Sequence, residues 1–252
     1  MQKLYNLEKK KDAYTKLKKY HKKLLDFSDI WNWNTLACLS RPSLERLLYL
    51  SNIYKLSMDN PGDIFEFGAH YGASTSILNN LKKIFEPNSS RKIHTFDTFD
   101  GFQSIEEEDN LSINEDNKIG DFKPEIENYE EFLETILHTH ESLDLSISTK
   151  SSFTINKGPI EETLPNFFKA KNSLCVSLAI FDMDLFKPTL ESLEIIKPHL
   201  LNGSYLIFDQ FSSFDQFPGE GLAVKQCSYF DRLTPVKIFP KVPCSAAFIY
   251  KS

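Results

Sequence analysis

A chain of 252 residues that is 41% hydrophobic and 13% aromatic has the apolar content for a sizeable core and does not belong to the disordered class. Its net charge of -6 argues against nucleic acid as a main partner, because backbone binding needs a basic face. Cys38, Cys175, Cys227 and Cys244 are far apart and form no C-x-x-C pair, and no apolar run approaches the ~18–20 residues of a membrane span. No membrane span and a reduced, cytoplasmic setting are therefore expected.

From Lys3 to Lys23 nine lysines accompany Leu4, Leu7, Tyr14, Leu17 and Leu24 at roughly helical spacing. The pattern predicts an amphipathic helix whose lysines are either a solvated face or a contact for a membrane surface or anionic partner. Pro42 and Ser43 open a second helix through Leu44, Leu47, Leu48, Ile53 and Leu56, which ends at the turn Asn60-Pro61-Gly62. Residues 1–60 then form an N-terminal helical extension, which is a candidate interface for a homo-oligomer.

Beyond the turn, short apolar runs alternate with helical ones, the sequence form of a parallel sheet covered on both faces. The predicted strands are Ile64–Gly68, Ile93–Phe96, Phe153–Asn156, Val176–Phe181 and Tyr205–Phe208, followed by Val236–Phe239 and Ala246–Tyr250. Only Pro240 to Pro243 separates the last two, so they must pair antiparallel, because a parallel crossover needs about a dozen residues or more. The expectation is an α/β class I methyltransferase (Rossmann-like) fold over residues 61–252, with a mostly parallel seven-stranded sheet ending in an antiparallel hairpin. Residues 103–145 interrupt the alternation. Between 106 and 134 they carry twelve acidic side chains against Lys118 and Lys123, and read either as a lid over a substrate or as a solvated excursion.

Four segments carry chemistry. In Glu66-Phe67-Gly68-Ala69-His70-Tyr71-Gly72-Ala73-Ser74 a strand runs into a glycine turn and a helix start, where a ligand can approach the backbone and meet free amides. The G-x-G-x-x-G fingerprint is absent, and Glu66 before the first glycine suits a cationic group, which favours S-adenosylmethionine over a nicotinamide dinucleotide. Asp97-Thr98 at the end of the next strand offers a carboxylate for ribose hydroxyls, while Asp100 reads as a turn residue. Asp182-Met183-Asp184 follows a fully apolar strand, and Asp209-Gln210 ends its neighbour. Adjacent strands would bring Asp182 and Asp209 within reach of one Mg2+ ion, for which oxygen ligands are suited. The cofactor-binding set is then Glu66, Gly68, Gly72, Ser74, Asp97, Thr98 and Asp182, and the metal set Asp182 and Asp209.

Taken together, these segments resemble the macrocin O-methyltransferase family over roughly Arg41 to Phe217, and Gly158 to Pro165 resembles its G-x-x-x-x-T-L-P segment. The resemblance implies a sugar O-methyltransferase, with Asp182 as metal ligand and general base and a sugar or glycan as the acceptor. It also implies a second aspartate after Asp209, where this chain has Gln210. Glu220, in Phe217-Pro218-Gly219-Glu220, is a candidate replacement. A sugar hydroxyl must lose its proton as it attacks the methyl sulfonium, which a carboxylate or a metal-bound alkoxide can arrange. His70, His138 and His140 are further polar candidates, the last two equally read as exposed helix residues. Gln210 leaves open the alternative of a cofactor-binding partner protein without catalysis.

Overall fold

The computed structural model describes residues 2–111, 117–143 and 151–252, with side chains from residue 8 onward. The expected lid at 112–116 and 144–145 lies outside the described residues. The chain divides into two units, residues 1–47 and 48–252. The first holds helix α1 (Gln2–Phe27), the short helix α2 (Trp31–Asn34), a single 3-10 turn and the start of α3 (Arg41–Ser57). The second half of α3 belongs to the other unit because Tyr49, Leu50, Ile53 and Tyr54 join its core. The division falls inside the helix.

In the second unit seven strands form one sheet in the order β3-β2-β1-β4-β5-β7-β6. They are β1 (Asp63–Phe67), β2 (Ile93–Asp97), β3 (Phe153–Lys157), β4 (Val176–Phe181), β5 (Leu200–Phe208), β6 (Leu233–Val236) and β7 (Ala246–Tyr250). The first five are parallel, and β7 runs antiparallel to both β5 and β6. Helices α4 (Ala73–Phe85), α5 (Tyr129–Ser142), α6 (Ile160–Ala170), α7 (Phe186–Ile196) and α8 (Pro218–Gln226) complete the fold.

Side chains alternate across the pleat, so β1 sends Phe65 and Phe67 into one cluster and Ile64 into the other. The first cluster gathers Phe96, Phe181 and Phe208 with Leu164, Phe167 and Phe168 of α6. The second gathers Leu178, Ile180 and Ile207 with Leu78 of α4 and Leu133 and Leu137 of α5. Every residue of β4 is buried, as its unbroken apolar run implies.

Two sequence expectations change. The sixth strand is Leu233–Val236, not Val236–Phe239, and it includes Pro235. Because β6 is the edge of the sheet, a residue without an N–H is tolerated there. The stretch 103–145 also divides, because α5 buries Tyr129, Leu133 and Leu137 and is the crossover helix between β2 and β3. The acidic residues on its other face hid that stripe.

Phe65 is fully buried and its ring lies 5.1–6.2 Å from those of Phe67, His94, Phe96, Phe167 and Phe168. Replacing it with Ala should destabilise the protein by about 3–5 kcal/mol. Urea unfolding would measure this; a loss below about 1 kcal/mol would show that the cluster does not depend on that ring.

Candidate active site

The strand order reverses between β1 and β4, where open α/β sheets bind ligands beyond their carboxyl ends. Phe67 pairs with Phe181 there, and the Asp182 amide donates to the Phe67 carbonyl at 2.8 Å. Gly68 adopts a φ of 90°, and a Cβ on it would fall 2.0 Å from the Asp182 carbonyl oxygen. Only glycine permits this approach. The chain leaves β1 and β4 in contact and then separates.

The loop after β1 is tied to the end of β2 by Asp97. Its Oδ2 accepts the amides of Ala69 at 2.7 Å and His70 at 2.8 Å, and its Oδ1 accepts the amide of Phe99 at 2.6 Å. A carboxylate has about four acceptor sites, so roughly one remains for a ligand hydroxyl. His70 sits in the left-handed region with φ 49°, its ring edge-on to Tyr71 and Phe122. Burial lowers its pKa, partly countered by Asp97, which favours the neutral imidazole.

A cavity of about 280 Å3 opens at this junction. It is lined by Gly68, His70, Asp97, Thr98, Gly158 and Ile160, by the apolar side chains of Phe102, Phe122, Leu185 and Phe217, and by Asp182, Asp184, Lys187 and Gln210. Of the residues singled out in the sequence, Gly68, Asp97, Thr98 and Asp182 come together on it. Glu66, Gly72, Ser74 and Asp209 are not on its wall. Glu66 is 1% exposed, beneath the glycine turn, where its Oε2 accepts the Thr75 hydroxyl and, at 3.2 Å, that of Thr95. Gly72 precedes α4 in the left-handed region, facing Leu133, and Ser74 is buried in the first turn of α4. His138 and His140 lie on α5, paired with Glu141 and Asn80, as the helix-surface reading has it.

The aromatic wall was not foreseen. Phe102, Leu185 and Phe217 form a small cluster of their own, and the Phe122 ring packs 5.2 Å from Phe102 and 5.9 Å from Phe217. Their signal was slight: each is a single large apolar residue in a loop rich in turn residues, outside any period. Asp109 was also missed. It is buried, its Oδ1 accepting the amide of Phe186 at the start of α7 and its Oδ2 the amide of Glu106.

Around Asp209 the carboxylate oxygens are engaged by neutral donors. The Ser245 hydroxyl donates to Oδ1 at 3.1 Å and the Gln210 side-chain amide to Oδ2 at 3.3 Å. Glu220 is fully buried behind them; its Oε1 accepts the Gln210 amide at 2.6 Å and its Oε2 has no hydrogen-bond partner. Burial first, then the charges of Asp184, Asp182 and Asp209, push Glu220 well above the usual carboxylate range, partly countered by that hydrogen bond. Among the described residues, no group of three His, Cys, Asp or Glu side chains is placed to hold a metal ion. Where the resemblance implies a second aspartate, Gln210 turns its side-chain amide to Asp209, and Glu220 accepts the Gln210 backbone amide.

A parallel sheet with a reversal at β1/β4, an acid at the end of β2 and an antiparallel β7 define an S-adenosylmethionine-dependent methyltransferase of class I. The chain belongs to the macrocin O-methyltransferase (TylF) family, which matches residues 29–220. It is an O-methyltransferase. Among solved structures, CalS11, a calicheamicin methyltransferase, is 28% identical with a TM-score of 0.84, covering 94% of this chain and 93% of that one. The apo form of CalS11, a TDP-rhamnose 3'-O-methyltransferase, is 26% identical with a TM-score of 0.77 and 94% coverage of both chains. The O-methyltransferase NovP, 19% identical over 83% of this chain and 81% of that one with a TM-score of 0.58, shares the fold. A comparison with curated proteins finds no match.

A carboxyl whose pKa is raised on folding is stabilising below its unfolded value and progressively less so as pH rises toward its folded value. Replacing Glu220 with Gln keeps the shape and removes the ionisation. The melting temperature of that variant should gain on the native protein as pH is raised from about 5 to 8. A pH-independent difference would show that Glu220 is not held neutral.

Proposed function

We propose that this enzyme transfers the methyl group of S-adenosylmethionine to a hydroxyl of a sugar, either nucleotide-linked or within a glycan or natural product, with Asp182 taking the hydroxyl proton. The observation that carries the reading is the position of Asp182. It stands at the reversal point of the sheet, on a cavity that Asp97, the glycine loop and the aromatic side chains also line. Asp97 and Thr98, with Gly68, would take the ribose and the amino-acid end of the cofactor; Gly72 and Ser74 would shape the turn, and Glu66 would hold it from beneath. Aromatic rings suit the C–H face of a sugar, and Lys187 suits the phosphates of a nucleotide carrier. The similarity to CalS11, whose acceptor is TDP-rhamnose, supports the same class here. An acceptor of this kind belongs to surface polysaccharide or secondary-metabolite synthesis in the cytoplasm. No described helix is long and apolar enough to cross a membrane.

In this reaction the acceptor oxygen attacks the methyl carbon in line with the sulfur. The C–S bond breaks, S-adenosylhomocysteine leaves, and the hydroxyl proton passes to a carboxylate oxygen of Asp182. Holding oxygen, carbon and sulfur in line accounts for much of the acceleration, and the cavity walls perform that alignment. The Mg2+ that the resemblance implies would draw on Asp182 and Asp209, but with Asp209 bonded to Ser245 and Gln210 no step is routed through it.

Asp182→Asn should lower turnover by roughly 10²–10⁴-fold while leaving cofactor affinity nearly unchanged. Mass spectrometry of TDP-sugars incubated with the cofactor would follow the gain of one methylene. Near-normal turnover in this variant would remove Asp182 from the reaction, and activity that a chelator abolishes and Mg2+ restores would overturn the metal-free route.

Asp97→Ala should weaken S-adenosylmethionine binding by about 1–3 kcal/mol. Calorimetric titration gives the value directly. An unchanged affinity would place the ribose elsewhere.

A further inference from the structure

Among the residues that line the cavity, His70, Phe122 and Asp184 hold a left-handed backbone, with φ of 49°, 62° and 64°. Side chains of this size seldom adopt it, and where a structure holds them there the strain points to a function. His70 and Phe122 come from different loops, one after β1 and one before α5, yet their rings meet at right angles with centroids 5.8 Å apart. Each is fixed by its own loop. The His70 amide donates to Asp97 at 2.8 Å, and its ring lies 4.3 Å from that of Tyr71. Tyr71 is tied to α5, its carbonyl accepting the Tyr129 hydroxyl at 3.0 Å. Phe122 follows a backbone bridge in which the Gly120 amide donates to the Phe102 carbonyl at 2.9 Å and the Phe102 amide to the Asp121 carbonyl at 3.0 Å. The pair is therefore preorganised.

The His70 ring makes its contacts with other rings, and no described residue hydrogen-bonds either of its nitrogens. A neutral imidazole, which burial favours, offers one donor and one acceptor. A sugar calls for two kinds of partner, an aromatic face for its C–H surface and polar groups for its hydroxyls. Phe102, Phe122, Leu185 and Phe217 supply only the first. His70, in ring contact with Phe122, supplies the second. Asp97 holds the backbone of His70 rather than its ring, so the imidazole is left to the acceptor while the carboxylate keeps the ribose proposed above.

We propose that His70 and Phe122 form the subsite that selects the acceptor: the sugar stacks on Phe122, and His70 hydrogen-bonds a hydroxyl other than the one methylated. The assignment rests on sugar O-methylation as proposed above and adds the residues that choose among sugars. No covalent step passes through His70. Its part is to admit one arrangement of hydroxyls, because a sugar without the matching group leaves an imidazole nitrogen unpaired.

The test is steady-state kinetics over a series of TDP-sugars and methyl glycosides that differ by single hydroxyls, with calorimetric titration of the same sugars into the protein bound to S-adenosylhomocysteine. His70→Phe keeps the ring and removes both nitrogens. For the best acceptor it should raise KM about tenfold, with kcat and S-adenosylmethionine affinity within about twofold of native. His70→Asn, which suits a left-handed backbone and keeps a donor and an acceptor, should recover most of that loss. The deoxy-sugar that lacks the bonded hydroxyl should bind the native protein about tenfold more weakly, and His70→Phe should weaken its binding no further. Should His70→Phe fail to fold, Phe122→Leu supplies the second test: it should raise KM for every sugar alike and leave the native order of preference intact. An acceptor KM unmoved by His70→Phe, a loss shared equally by all sugars in that variant, or a loss that falls on S-adenosylmethionine affinity would each overturn the assignment and leave sugar methylation standing. A Phe122→Leu variant with native KM would do the same. If the native protein methylates no sugar of the series, both readings fall.

Discussion

The active site rests on one close approach, the backbone of Gly68 against the carbonyl of Asp182. Up to that point β1 and β4 are paired and every polar backbone group can be satisfied by its neighbour. Past it the two chains turn to opposite faces, β1 toward α4 and β4 toward α7, because the strand order reverses between them. The space they leave is the cavity. A side chain at Gly68 would have to displace the Asp182 backbone, and with it the carboxylate proposed as the base. The position is therefore a constraint on catalysis before it is a contact with any ligand.

Four carboxyl groups gather at this junction, with Lys187 on the wall of the same cavity. Asp182, Asp184, Asp209 and Glu220 are close enough to raise the pKa of the last, and burial removes the water that would otherwise screen them. Three means share the compensation. Asp209 accepts from Ser245 and Gln210, burial and the neighbouring carboxylates push the Glu220 pKa well above its usual range, and Asp182 lines the cavity. Gln210 belongs to this arrangement in two ways, its backbone amide held by Glu220 and its side-chain amide turned to Asp209.

The parts of the fold that the sequence made legible are those where one physical demand dominates. The apolar run Val176–Phe181 has to be a central strand, and the short break at Pro240 to Pro243 has to join antiparallel neighbours. Asp97 and Asp182 could be placed because they follow such strands directly. Where two demands compete, the pattern is ambiguous. The acidic face of α5 masks its buried stripe of Tyr129, Leu133 and Leu137, and an edge position overrides the usual reading of Pro235. Glu66 has the composition of a ligand group, but β1 turns it onto the face where Thr75 and Thr95 wait, and alternation along a strand does not reveal what lies opposite. The aromatic wall was illegible for a different reason. Phe102, Phe122 and Phe217 meet only after three separate loops have folded.

What brings those loops together is a buried carboxylate. Asp109 belongs to the acidic stretch that reads as solvated in the sequence, yet it is withdrawn from water and spans two backbone amides, those of Glu106 in its own loop and Phe186 at the start of α7. Burial raises its pKa while the two amide bonds oppose the rise, as expected of a group whose structural role is to accept hydrogen bonds in a dry site. The close fit of Gly219 against Asp109 and Phe186 adds α8 to the same joint, since a Cβ there would meet the Asp109 Oδ1 at 2.0 Å. Phe217 and Phe102 lie on the two chains that this joint connects, with Leu185 beside the amide it grips. The aromatic wall is therefore anchored to α7, the helix that follows Asp182, so the surface proposed to position a sugar and the carboxylate proposed to receive its proton are referenced to the same element. Such shared anchoring is what in-line transfer requires, because a displacement of about 1 Å between acceptor and base is enough to lose much of the rate.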